Sequence, residues 1–193
     1  MNAGYLDANH WIQRAEHGGR IIGEACHIFE LFCFLTDAQP VSVAVACTNS
    51  RAEDMPVHDN FAANVTMSDG SLCTLTYTSQ GNSGIGKEYM ELFFDGKTIK
   101  MNDFYELTGY GLPTTFNTKA SYQDKGHETI INAFFHATRT PEVPLPVPFH
   151  RIIAASEVSI VVDRLARQGG GFELLNMEYQ ITQTSSEIIE KSF

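Results

Sequence analysis

The chain has 193 residues, of which 43% are apolar and 19% charged, the composition of one folded globular domain rather than a disordered segment. Thirteen Lys and Arg stand against 23 Asp and Glu, a formal net charge of −10 with no basic cluster, which excludes the usual nucleic-acid or anionic-membrane partner. No apolar run reaches the length of a membrane span, and the N-terminus has no basic-then-apolar leader pattern. Four cysteines without CxxC spacing (Cys26, Cys33, Cys47, Cys73) read as buried free thiols of a reducing cytoplasm, not as a disulfide frame or zinc site.

Residues 1–17 have neither helical nor strand period and read as a connector, with Tyr5 and Trp11 expected to anchor it against the body. The next stretch, GGRIIGEACHIFELFCFL from Gly18 to Leu35, predicts a helix over 19–36 that is apolar almost all round and therefore buried. Arg20, Glu24 and His27 recur at i, i+4 and i+7 and share one helix face, where ionisable groups need partners or a cleft. Gly23, four residues before His27, leaves room for something to approach. Pro40 ends the helix.

Val41–Cys47 alternates and predicts a strand, and residues 50–58 a polar loop. Phe61–Met67 and Leu72–Thr78 flank Ser68-Asp69-Gly70-Ser71, and Tyr89–Phe94 and Thr98–Met101 flank Asp95-Gly96, two hairpin patterns. Residues 80–86 are a glycine-rich loop with no helix after it. Phe104–Thr108 and Thr114–Thr118 are weaker strand candidates. Helical period returns from Asp124 to about Arg139, with Ile130, Ile131, Phe134 and Phe135 in a stripe. The proline-rich segment 141–148 is expected as an extended strap.

A last helix over 149–168 should bury Ile152, Ile153, Val158, Ile160, Val161 and Leu165, with three glycines stopping it. Phe172–Tyr179 is a final strand candidate and residues 181–193 a polar tail. Strands segregated from helices imply an α+β fold: an open, mostly antiparallel sheet with helices packed on one face.

His27 is the leading candidate for chemistry. It reads either as a proton donor or acceptor at a cleft mouth, tuned by Glu24 one turn away, or as a core histidine satisfied by a neighbouring carbonyl or carboxylate. Glu24 either orients that histidine and touches substrate hydroxyls, or forms a salt bridge with Arg20. Glu30, His127 and Glu128 read as structural. The remaining histidines have no ligand spacing, so no metal is assigned, and neither a GxSxG turn nor a GxGxxG followed by a helix occurs.

The stretch GGRIIGEACHIFELFCFL resembles the signature GG-x-x-x-x-x-x-x-H-x-x-D-x-x-x-x-L of the Gfo/Idh/MocA family of NAD(P)-dependent sugar and cyclitol oxidoreductases. The DGS hairpin with LTYTSQG, EYMELFFDGKTIKMNDF, DKGHETIINAF and the helix after PVPF extend the likeness over nearly all of residues 2–176. The resemblance implies the family's C-terminal α+β domain, lacking the Rossmann domain that would hold NAD or NADP and a catalytic lysine. It divides the chain into a connector (1–17) entering near Asn2-Ala3-Gly4, a domain (18–180) and a tail (181–193).

It also implies His27 as the catalytic or substrate-orienting histidine. The family's aspartate four residues earlier is Gly23 here, with Glu24 beside it as stand-in, and Glu30 takes the place of another aspartate. Arg20 and Trp11 are the candidate substrate-binding side chains. The expected role is the substrate-binding and homo-oligomerisation domain of an oxidoreductase acting on a sugar or cyclitol C–OH, inactive alone, binding no cofactor by itself, and cytoplasmic. The competing reading is a non-catalytic assembly module whose sheet pairs with a partner chain.

Overall fold

The computed structural model describes residues 1–175, apart from 8, 14–16 and 49–58. The expected loop over 50–58, the second half of the last strand candidate (176–179), and the tail lie outside the described residues.

Gly18 and Gly19 both take positive φ (78° and 72°), a turn that side chains with a Cβ adopt only under strain. The helix that follows opens as a single π turn over Ile21–Ala25 and continues as α1 over Cys26–Thr36. Ile21, Ala25, Phe29 and Cys33, each four residues after the last, form its buried stripe. Ile22 and Phe34 are exposed, so the helix is buried along one side and not all round, because only that side meets the sheet and a second helix. Asp37, in the left-handed region at φ 50°, ends it.

Strands β1 (Pro40–Cys47), β2 (Asn60–Met67) and β3 (Leu72–Thr78) follow as an antiparallel meander. A second meander comprises β4 (Tyr89–Phe94), β5 (Lys97–Asn102), β6 (Glu106–Tyr110) and the two-residue β7 (Thr118–Lys119). Its first turn, Asp95-Gly96, has φ of 45° and 71°, the double positive that a two-residue hairpin of the I′ kind requires. The candidate strand at 114–118 is instead a 3-10 turn over Thr114–Phe116 leading into β7.

Helices α2 (His127–Arg139) and α3 (Phe149–Arg167) come next, and β8 (Gly170–Leu174) pairs with β1. The fold is α+β as expected. Its strands divide into two open sheets, β3-β2-β1-β8 and β4-β5-β6-β7, each antiparallel throughout.

The core lies between the first sheet and the helices. Val43 and Val45 of β1, Phe61, Ala63, Val65 and Met67 of β2, and Leu75 and Tyr77 of β3 all point inward at the period of two. They meet Phe29 and Cys33 from α1 and a strip of small residues from α3, including Ala154, Ala155, Val158, Val162 and Ala166. Of the face expected of α3, Val158, Val161 and Leu165 are buried as expected, but Ile152 and Ile160 are exposed, because close helix-on-sheet contact admits alanine and valine there. The buried Ser159 hydroxyl donates to Ala155 O at 2.6 Å. The stripe of α2 is present but largely uncovered. Ile130, Ile131, Phe134 and Phe135 line an apolar groove of about 420 Å³, closed on the other side by Leu145, Pro146, Val147 and Ile152.

The opposite face of the first sheet carries small and polar residues, Ser42, Ala44 and Ala46 of β1 opposite Thr66, Asn64 and Ala62 of β2, with Leu72, Phe172 and Leu174 exposed around them.

Candidate active site

The connector meets the helix at two points, besides the backbone bonds of Met1, Asn2 and Ala3 to Thr76, Lys87 and Thr78 and the Gln13–Asp59 bond. Tyr5 and Trp11 are exposed (67% and 58%), contrary to the expected anchoring, and Ile12 is the buried anchor instead. Its Cδ1 lies 3.3 Å from where a Cβ on Gly23 would be, so the space beside Gly23 is filled by the connector. The second fastening is Arg20, only 2% exposed, whose Nη1 and Nη2 donate to Gly4 O (2.7 Å) and Ala3 O (2.8 Å).

The remaining Arg20 nitrogen, Nε, donates to Glu24 Oε2 at 2.8 Å across one helical turn. The same oxygen accepts the Tyr77 hydroxyl at 2.7 Å, and the Lys87 ammonium bonds Oε1. Burial alone would raise the Glu24 carboxyl, but hydrogen bonds from Arg20, Lys87 and Tyr77 override it and bring the value from 4.5 to about 2. Burial and the bond to Glu24 push the Tyr77 phenol up. Glu24 is thus a permanent anion between three donors, with the salt bridge to Arg20 that the spacing allowed.

His27 sits one turn further, in α1, with its side chain 46% exposed. Its Nδ1 contacts the backbone carbonyl of Glu24, which can only accept, so this nitrogen carries a proton. Nε2 is then the atom that gains or loses a proton. It lies 3.3 Å from Oε1 of Glu88, a residue on the entry to β4 whose side chain is 5% exposed. Lys125 Nζ lies 3.3 and 3.4 Å from the two Glu88 oxygens. The bond from His27, aided by the charge of Lys125 and opposed by burial, holds the Glu88 carboxyl below its ordinary range.

Of the four candidate side chains, Arg20, Glu24 and His27 come together on the helix. Trp11 stands apart, its ring meeting those of His10 (5.8 Å) and His17 (5.6 Å). The side chains absent from the sequence reading are Glu88, Lys125, Lys87 and Tyr77. Glu30 pairs with Arg151 of α3 at 3.6 Å, the structural role expected of it. Among the described residues there is no cluster of three His, Cys, Asp or Glu that could hold a metal ion, and no helix long and apolar enough to cross a membrane. The four cysteines are free, with Cys33 alone fully buried.

A family model described as the GFO/IDH/MocA C-terminal domain matches residues 2–99. The chain belongs to this family. No curated protein matches it in sequence. Its fold is similar to that of UDP-N-acetylglucosamine 3-dehydrogenase GnnA from Acidithiobacillus ferrooxidans, at 15% identity and a TM-score of 0.66, over 86% of this chain and 52% of that one. An aldose-aldose oxidoreductase from Caulobacter crescentus gives 17% identity and a TM-score of 0.68 over 89% and 52%.

The myo-inositol dehydrogenase from Lactobacillus casei, solved with NAD(H) and myo-inositol, gives 15% and 0.56 over 93% and 53%. The chain spans about half the length of the solved structures it matches. As a family C-terminal domain, it places the histidine of the GG…H signature on an exposed helix surface beside the second sheet.

Proposed function

We propose that the chain is the substrate-binding and oligomerisation domain of an NAD(P)-dependent oxidoreductase acting on a sugar or cyclitol C–OH. The observation that carries this is His27: a half-exposed imidazole with Nδ1 against a carbonyl and Nε2 beside a seated carboxylate. With the ring neutral, Nε2 takes the proton of a substrate hydroxyl as that carbon is oxidised, the new N–H then facing Glu88 Oε1, and returns it in the reverse direction. Glu24 and Arg20 hold the helix and connector beneath it, and Trp11 offers a ring face to a sugar.

The sheets are antiparallel and no GxGxxG leads from a strand into a helix, so the described residues do not fit a dinucleotide, and no hydride step is assigned to them. NAD or NADP, held by a Rossmann domain outside these residues, is the hydride partner this reading implies. The domain boundaries follow the same reading: connector 1–17, α+β domain 18–180, tail 181–193. Free thiols suit a cytoplasmic setting.

Two experiments test the reading. Titration of the isotope-labelled chain with myo-inositol or UDP-N-acetylglucosamine, up to about 50 mM because half a site binds weakly, should shift resonances of His27, Lys87 and Glu88. His27→Ala should abolish the shifts; no response near these residues from either compound would sink the substrate role. In a polypeptide that includes the cofactor domain, His27→Ala should lower kcat about 10²- to 10⁴-fold.

A second reading, a non-catalytic assembly module, draws on the outer face of the first sheet, where Ser42, Ala44, Ala62 and Thr66 form a shallow surface with exposed Leu72, Phe172 and Leu174 at its sides. Homo-oligomerisation through this face belongs to both readings, and a monomer by light scattering at high concentration would remove it. Binding without any effect of His27→Ala would favour the module.

A further inference from the structure

The helix itself offers His27 no free carboxylate. Position 23, four residues back, is an exposed glycine with Ile12 standing where a side chain would begin. The Glu24 carboxylate is committed to Arg20, Tyr77 and Lys87, and Glu30 turns to Arg151. The carboxylate that does reach the ring comes from 61 positions further along the sequence.

We infer that Glu88 is the positioning residue of His27, and that Lys125 is the clamp that keeps Glu88 in place. This rests on the reading of His27 as the proton-handling group. Nδ1 is fixed by the Glu24 carbonyl, so a proton taken up at the ring goes to Nε2, where Glu88 Oε1 at 3.3 Å faces the new positive charge. Glu88 is held from three directions. Its backbone N–H donates to Asp103 Oδ1 at 3.0 Å, its carbonyl accepts from Asp103 N at 2.7 Å, and both carboxylate oxygens lie within 3.4 Å of Lys125 Nζ.

Lys125 in turn stands over the Phe104 ring, 5.2 Å from its centroid. The charged groups around the imidazole and Glu88 are therefore Lys125 from the segment before α2, the Met1 ammonium, and the Glu24 anion with its partners Arg20 on the helix and Lys87 beside Glu88. Glu88 orients the ring. Lys125 prevents the carboxylate from following the proton away.

A double-mutant cycle tests this on the chain as it stands: wild type, His27→Ala, Glu88→Gln and the pair, unfolded in urea at pH 5.5 and at pH 9. The expected coupling is about fivefold or more in the folding constant at the lower pH and under about twofold at the higher, where an ordinary imidazole is neutral. Equal coupling at both pH values, or none at the lower, overturns the inference.

Should Glu88→Gln fail to fold, Lys125→Met serves instead. Without the clamp, the cost of His27→Ala at pH 5.5 should shrink about threefold in the folding constant, and an unchanged or larger cost overturns the inference equally. A missing coupling leaves the substrate role of the domain intact, since the polyol titration reads that separately.

Discussion

Glu24→Gln is the most informative single change. It keeps the shape of the side chain and removes the charge that Arg20, Tyr77 and Lys87 share. Arg20 would remain buried with its two carbonyl acceptors and only the weaker attraction of Asp59 in place of its bonded carboxylate. A carboxyl at about 2 in the folded chain, against 4.5 ordinarily, represents at most about 3 kcal/mol in favour of the folded state at neutral pH. Lys87 is 40% exposed, and solvent screening of that pair brings the figure to about 2 kcal/mol. With a urea slope of about 2 kcal/mol/M, the midpoint should fall by about 1 M at pH 7.

The sign of the pH dependence follows from the depressed folded value. The contribution is complete above pH 4.5 and is lost as the pH falls through that value towards about 2. Urea curves followed by circular dichroism should therefore show the gap between wild type and Glu24→Gln closing over this window. A gap below about 0.5 kcal/mol at pH 7, or one that stays constant down to about pH 2.5, would refute the reasoning.

Other changes probe other parts of the argument. Phe29→Ala, at a side chain that is 1% exposed in the centre of the core, should cost about 3–5 kcal/mol in the same urea assay. Gly96→Ala places a Cβ at φ 71° in the two-residue hairpin and should cost about 1 kcal/mol without altering the core, as seen by unchanged near-ultraviolet dichroism. Phe134→Gln, on the open side of α2, should change stability by less than about 1 kcal/mol while reducing native-state binding of an apolar dye in the groove.

Much of the fold was legible because local chemistry decides it. Asp95-Gly96 and Asp69-Gly70 set both hairpins within a residue or two, and the alternation of Phe61, Ala63, Val65 and Met67 gave the buried face of β2 directly. The stop at Asp37 and the start of α3 after Pro148 followed from helix-end preferences. The division into two sheets was not legible, since nothing local says which meander pairs with which. Neither was the exposure of Ile152 and Ile160 on α3: hydropathy favours burying them, whereas the available space favours Ala154 and Ala155.

At the site, the i, i+4 pair Arg20–Glu24 could be read from spacing, and the exposure of His27 could not. Glu88, Lys87 and Lys125 gave no signal because a contact between residues so distant in sequence has no period. Tyr77 lies within the predicted strand Leu72–Thr78, but its hydroxyl bond to Glu24 depends on how the helix lies over the sheet.

The position of Glu88 has a mechanical consequence. The pairs Glu24–Lys87 and His27–Glu88 tie the helix over the first sheet to the chain entering the second, so the site lies along a seam between them. Within β4–β7 Met101 is the single buried residue, so the second meander has little apolar burial of its own. It should open as a unit below the free energy of global unfolding, with its amides exchanging hydrogen sooner than those of β1–β3. High ionic strength, which weakens the half-exposed ionic links, should hasten that opening. Any force that swings the small sheet would then be felt first at the histidine.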